Sequence, residues 1–591
     1  MLKLCKIENS DKGEFKMFIT PQPQKIQIFE EKIKAQSFCV TADNEEIYKF
    51  LKGDGEFNVE FQKDSSLLNE HHKIFITKEK IKITYGTLEG AYRACTTLKQ
   101  IVSQSENGEI PCLEIEDYPV IKNRGYMLDI SRGRLPKLSH IKSIVDILSM
   151  LKYNQLQLYM ESFVYEYKNF PEYVKDTQPL TSEDIRELDK YCKERFIKLI
   201  PNQNSFGHMA SWTEKEELSH LAITKDGKPS PTLNPLLDGS LELVDKIYDG
   251  IFDDFSADIL NIGMDEPFEL GLSETKEICD KEGVGKVYTD YLIKVCELAH
   301  DKYGVVPMFW DDIVFKHPEQ LDNIPDYAIV MEWGYETEQH FDRNCRRLQE
   351  RNLRYYVCPG TSMWGTFTGR TNNAILNIGM AAETGVFYGA EGFLLTEWGD
   401  GGHPQFPSTA MFPLVYGGAV SWNCMDHNPE VNYEQRRRLI KDCIKFTDKY
   451  IYNSTGEVSL CGIVYRMGNY YLLEDLLQFN RTELWYFLNS DEALTNDKKK
   501  AFSKIKKYML ELKEELKKVK ADEIAVKEIE NNCDMVIFFA GLLSGEAGCY
   551  EKDAEKLIFE YETLWDMKNK VVGKDIFIKT INKNLEKFKN L

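Results

Sequence analysis

Up to about Tyr118 the chain alternates apolar and polar residues in short runs: KIQIF at 25, SFCVTA at 37, FNVEF at 57 and KIFITKEKIKITYG at 73. Alternation with a period of two predicts half-buried strands. In the following LEGAYRACTTLKQIVSQ the period changes, and Leu88, Ala91, Ala94, Cys95, Leu98 and Ile101 recur at helical spacing, predicting one buried stripe. Residues 1–118 therefore read as an N-terminal α+β domain.

From Ile121 to about Trp422 the apolar runs become continuous and are separated by amphipathic helical segments. Eight such runs occur: NRGYMLDI, YNQLQLYM, FIKLIPN, ADILNIGM, VVPMFW, YAIVMEW, RYYVCPG and EGFLLTEW. Runs of this kind suit parallel strands buried on both faces. Eight strand–helix units predict an α/β fold, a (β/α)8 TIM barrel, over residues 119–428. Polar or aromatic residues stand where the runs end: Asp129 and Arg132, Glu161, Asn204 and His208, Asp265 and Glu266, Trp310, Glu332 and Trp333, Trp364, and Trp398 and Asp400. Barrels keep their active sites at those C-terminal strand ends.

Beyond Trp422 glycine thins out and heptad-like stretches take over, among them EQRRRLIKDCIKFTDKYI, AFSKIKKYMLELKEELKKVK and EKLIFEYETLWDMKNK. They predict an all-helical C-terminal domain over residues 429–591. Its lysine and glutamate runs read as solvated helix faces, or as the surface of a homodimer or another partner.

A formal net charge of -21 repels phosphate backbones and anionic lipid surfaces, which argues against nucleic acid and membrane as the main partners. The opening MLKLCKIENSDKGEF lacks the apolar core of a signal peptide, and no later stretch suits a bilayer span, so a cytoplasmic location is expected. Fourteen cysteines without a CxxC pair fit buried reduced thiols better than a disulfide framework or a zinc site. With no compact ligand spacing, P-loop or dinucleotide fingerprint, no metal and no cofactor is expected.

The chemistry concentrates in NIGMDEPFE at 261. Neighbouring side chains on a strand face opposite ways, so Asp265 and Glu266 can share a pocket only if the strand ends and the backbone turns there. Pro267 supports that ending. Two such carboxyls suit a division of labour, one ionised beside developing positive charge and the other holding a proton for the leaving group.

Together NRGYMLDISRGRL at 123, FGH at 206, the DE pair at 265 and the tryptophan series ending in TEWGD resemble the family 20 glycoside hydrolases, the β-N-acetylhexosaminidases. The resemblance covers roughly residues 20 to 422, and the helical tail is similar to that of an intracellular bacterial subgroup. By this likeness Arg132 matches the arginine that binds the sugar's 3- and 4-hydroxyls, a task suited to a guanidinium fork. Asp265 matches the residue that orients the 2-acetamido group, Glu266 the general acid and base, and His208 a histidine coupled to that glutamate. Trp310, Trp333 and Trp398 match aromatic walls around the acetamido methyl and the sugar face, with Trp364 a fourth member. Asp400 stands in the place of a glutamate that accepts from the 4- and 6-hydroxyls. Glu161 replaces the aspartate usually coupled to the histidine, and Tyr335 substitutes for a tyrosine that binds the acetamide carbonyl.

The resemblance implies exo-acting, substrate-assisted retaining hydrolysis of oligosaccharide or glycoconjugate fragments ending in N-acetylhexosamine, with both GlcNAc and GalNAc accepted. Two other classes stay open. A non-catalytic sugar-binding protein would have little need for both Asp265 and Glu266, and a lyase or aldolase would be expected to show a strand-end lysine or a metal cluster.

Overall fold

The computed structural model describes residues 17–34, 38–42, 44–51, 57–175, 177–424, 429–473, 477–546 and 548–588. The opening stretch with Cys5, Ser37 and the expected boundary at residue 428 lie outside them. The chain forms two compact units, Met1–Pro119 and Val120–Leu591.

The first unit is a mixed six-stranded sheet of β1 (Lys25–Lys34), β2 (Phe38–Thr41), β3 (Phe57–Lys63), β4 (His72–Ile76), β5 (Ile81–Tyr85) and β6 (Glu109–Asp117), in the order β1-β6-β4-β5-β3-β2. The helix Leu88–Ser103 is capped by Thr87, whose hydroxyl accepts from the Gly90 amide. Ala91, Ala94, Cys95, Leu98 and Ile101 are buried as the spacing predicts, while Leu88, the first helical residue, is half-buried. Strand β6 escapes the period-two pattern because Cys112 and Leu113 are both buried, opposite an irregularity in β1 between Ile28 and Lys32.

In the second unit β7 (Asn123–Asp129), β8 (Gln155–Met160) and β9 (Lys198–Gln203) come first, followed by a hairpin of β10 (Ala222–Lys225) and β11 (Lys228–Leu233). Then come β12 (Ile259–Asn261), β13 (Val306–Trp310), β14 (Ile329–Trp333), β15 (Arg354–Cys358) and β16 (Gly392–Glu397). Leaving out the hairpin, the eight parallel strands close into a barrel through the β16–β7 pair, in the positions of the eight apolar runs. Met127, Tyr159, Ile200, Met308, Met331, Tyr356 and Leu394 fill its interior, so it is a packed core with function left to its rim.

The C-terminal region is helical, with long helices at Asn496–Leu516, Glu523–Ser544 and Tyr550–Lys568. On the first, Phe502, Ile505, Met509, Leu512 and Leu516 are buried at the predicted helical spacing. Phe539 stacks on Phe367, from the loop after β15, with ring centroids 5.1 Å apart and an 8° tilt. Ahead of these helices a small hairpin, β17 (Leu477–Gln478) and β18 (Arg481–Thr482), interrupts the helical pattern. Among the described residues no helix is long and apolar enough to cross a membrane, and thirteen cysteines are free thiols.

Candidate active site

The strand ends converge on a cavity of about 440 Å³ lined by Arg132, His208, Asp265, Glu266, Trp310, Trp333, Tyr335, Trp398, Asp400, Gly401 and Asn480. Nine of these were singled out from the sequence; Gly401 and Asn480 were not.

The turn after β12 brings Asp265 and Glu266 together. The strand stops at Asn261, whose side-chain oxygen accepts from the Gly263 amide at 3.0 Å. Gly263, Met264 and Glu266 then take φ of 72°, 76° and 50°. For the two non-glycine residues this is a sparsely populated region whose cost the surroundings must offset. A Cβ on Gly263 would lie 2.0 Å from the Asn204 side-chain oxygen, and one on Gly207 would lie 2.2 Å from the Asp265 carbonyl. Both glycines are therefore needed for the close approach of the β9 and β12 loops. That approach sets His208 Nε2 at 3.2 Å from Asp265 Oδ2 and 3.3 Å from Glu266 Oε2.

Burial alone would lower the His208 imidazole, but the Asp265 charge and hydrogen bonds to Asp265 and Glu266 override it and push it up to about 10. At neutral pH this histidine is a cation between the two carboxyls. Its Nδ1 faces Arg132 Nη2 at 3.4 Å, a like-charge contact offset by the surrounding carboxylates.

Arg132 is positioned by Asp129 at the end of β7, whose Oδ1 accepts from the Ser131 and Arg132 amides and whose Oδ2 accepts from the Gly399 amide. The guanidinium bonds Asp400 Oδ1 at 2.9 Å and Glu161 Oε2 at 3.0 Å, and lies 5.0 Å from the ring centroids of Tyr159 and Trp398. Glu161 Oε2 stands 3.8 Å from His208 Nδ1, an ion pair longer than a hydrogen bond. The reason is local: the Glu161 carboxylate accepts instead from the Tyr159 hydroxyl at 2.7 Å and from Arg132. Glu161 thus pairs with both Arg132 and His208, most closely with Arg132.

The aromatic wall is continuous. Trp398 packs on Trp310 with centroids 5.7 Å apart, and Trp333 stacks on Tyr335 at 5.1 Å and 29°. The Tyr335 hydroxyl accepts from Trp398 Nε1 at 2.8 Å and has the Thr396 hydroxyl as a second partner. Trp364 does not line the cavity. It is buried behind Tyr335, edge-on at 4.9 Å, and supports the wall from outside. Three buried polar atoms at the cavity have no hydrogen-bond partner among the described residues: Asp265 Oδ1, Trp310 Nε1 and Trp333 Nε1.

Behind the acidic pair lies Asp312, which sequence reasoning missed. Burial and the Asp265 charge push its carboxyl up to about 7 against the pull of Lys316. An acidic pair directly after Trp310 was the available signal, but the inward orientation of Asp312 depends on tertiary contacts.

Residues 122–373 match the family description "Glycosyl hydrolase family 20, catalytic domain", and residues 24–118 match "Glycosyl hydrolase family 20, domain 2". The chain is 30% identical over 300 residues to Beta-hexosaminidase subunit alpha of Mus musculus, covering 46% of this chain and 55% of that protein. It is 25% identical to Beta-hexosaminidase A of Caenorhabditis briggsae, over 53% of this chain and 65% of that one. The chain spans about half the length of the curated relatives it matches. In fold it is similar to a beta-N-acetylhexosaminidase from Bacteroides fragilis NCTC 9343, with TM-score 0.60 and 19% identity over 74% of this chain and 96% of that one. A chitobiase from Flavobacterium johnsoniae aligns with TM-score 0.60 and 16% identity over 93% and 98% of the two chains.

Proposed function

We propose that this chain, which belongs to glycoside hydrolase family 20, is an exo-acting β-N-acetylhexosaminidase that releases terminal β-linked GlcNAc or GalNAc by substrate-assisted retaining hydrolysis. The observation that carries the reading is the unpartnered Asp265 Oδ1 on an aromatic wall beside Glu266. A buried carboxylate oxygen of this kind suits an amide N–H, and the indoles around it suit a methyl group and a sugar face.

In this mechanism the substrate's acetamide oxygen attacks C1 while the C1–O bond to the leaving group breaks, and Glu266 gives its proton to the departing oxygen. The resulting oxazolinium carries a positive charge, which Asp265 offsets by accepting its N–H. Tyr335 donates to the acetamide oxygen and aims it at C1. Glu266, now a carboxylate, takes a proton from water as the water oxygen adds to C1 and reopens the ring with the β configuration retained. His208 Nε2–H, nearly equidistant from both acids, serves Asp265 while Glu266 is protonated and Glu266 once that proton has left. Arg132 and Asp400 hold the hydroxyl edge of the sugar.

The substrates in this reading are oligosaccharide or glycoconjugate fragments with a terminal N-acetylhexosamine. The free thiols support a cytoplasmic location, and the helical C-terminal region supports kinship with the intracellular bacterial subgroup. Hydrolysis of 4-nitrophenyl N-acetyl-β-glucosaminide and its galacto epimer tests the activity. The plain 4-nitrophenyl β-glucoside, which lacks the acetamide, should resist; comparable turnover of it would exclude substrate assistance.

A further inference from the structure

The cavity is completed by a residue more than a hundred positions beyond the stretches that match the family, namely Asn480 at the tip of the β17–β18 hairpin. Two hydrogen bonds hold Asn480 to the barrel, one of them through a carboxylate fixed by Arg370. Arg370 forms a buried double hydrogen bond to Glu336, at 3.0 and 2.8 Å, and Glu336 Oε1 accepts from the Asn480 backbone amide at 2.7 Å. The Asn480 side-chain oxygen accepts from Trp364 Nε1 at 2.7 Å. An indole N–H can only donate, so this bond settles which end of the amide is oxygen. The Asn480 NH2 group is then on the other side, without a partner among the described residues, on a residue that lines the cavity.

The hairpin reaches the loop after β15, and the helix that follows it, Glu483–Asn489, reaches the loop after β16. A Cβ on Gly365 would meet Arg481 at 2.7 Å, and one on Gly401 would meet the Trp485 ring at 2.6 Å. Asn480, Gly401 and Asp400 all line the cavity. The Asn480 NH2 group is thus a neutral donor at the cavity wall, open to an oxygen of a bound ligand.

Resting on the hexosaminidase reading above, we propose that Asn480 is a specificity-determining residue that donates from its side-chain amide to a hydroxyl oxygen of the bound sugar. The C-terminal helical region thereby supplies part of the sugar site and does more than brace the barrel.

Two variants of the full chain separate this from a purely supporting role. Asn480→Ala removes both the donor and the acceptor for Trp364. Asn480→Asp keeps an acceptor for Trp364 and replaces the donor with an oxygen that repels the sugar hydroxyl's lone pairs. Wild-type hydrolysis of 4-nitrophenyl N-acetyl-β-glucosaminide first establishes the activity, so its absence would sink the hexosaminidase reading and not this inference alone. With the activity present, both variants should lose on the order of tenfold in kcat/KM, mostly through KM, with unfolding midpoints near wild type. The loss should be the same on the aryl glycoside and on a β-linked N-acetylglucosamine disaccharide, because the contact is to the sugar and not to the leaving group. Recovery of near-wild-type kcat/KM in Asn480→Asp would show that the side chain only holds Trp364. An unchanged Asn480→Ala, or a loss confined to one leaving group, would equally overturn the proposal.

Discussion

Asp312→Asn tests the electrostatics of the site most directly. The Asp312 side chain is 9% exposed, its Oδ1 has no hydrogen-bond partner among the described residues, and Lys316 Nζ stands 3.5 Å from Oδ2. Burial and the Asp265 charge raise its carboxyl from 3.8 to about 7. A carboxyl raised on folding binds its proton more tightly in the native state, so stability is greatest below the unfolded value and falls as pH rises through the folded one. Between those two values each pH unit costs about 1.36 kcal/mol, so the wild type should lose roughly 2.5 kcal/mol of stability between pH 5 and pH 8 through this one group. Asn cannot titrate, so the stability of Asp312→Asn minus that of the wild type should rise by that amount over the interval, other groups cancelling in the difference. All eight tryptophans lie in the unit Val120–Leu591, so guanidinium unfolding followed by tryptophan fluorescence reports on that unit alone. A difference that stays flat within about 0.5 kcal/mol, the scale of an ordinary surface substitution, would mean that Asp312 is solvated or protonated throughout.

Three further predictions concern the proposed chemistry. Asp265→Asn leaves an amide where the oxazolinium needs a charge and should reduce kcat by about 100- to 1000-fold while changing KM little; trapping a covalent glycosyl adduct on Asp265 in the wild type would overturn the assignment. Glu266→Gln should lose most on disaccharides and least on aryl glycosides with good leaving groups, and equal losses on both would remove its role as proton donor. His208→Gln deletes a cation held beside two acids, so the acidic limb of the kcat/KM profile should move upward by about one pH unit. An unmoved limb would reduce His208 to a structural group.

The barrel was legible because its strands are short, mainly apolar runs and the chemistry sits where each run stops, so position along a strand translates directly into position at the site. The turn at Asp265–Glu266 was legible for the same reason, since two adjacent carboxyls cannot face one pocket from a regular strand. What escaped depends on distance or on reach. One added methylene let the Glu161 carboxylate settle closer to Tyr159 and Arg132 than to His208, a choice made by partners from other strands. Trp364 ends its run like the other tryptophans, yet the loop after β15 turns it outward, so residue type and strand end together were not enough. Asn480 follows no catalytic motif and sits 116 positions from Trp364 and 144 from Glu336, the groups that orient it. Local pattern carries information about residues whose neighbours are set by helix or strand period. A side chain delivered by a hairpin from another region owes its place to contacts with no such period, and those contacts also make its function conditional. The Arg370–Glu336 pair is one of the contacts that place the Asn480 donor, so Arg370→Gln should raise KM for the aryl glycoside without touching any group that lines the site, and an unchanged KM would mean that the other contacts suffice.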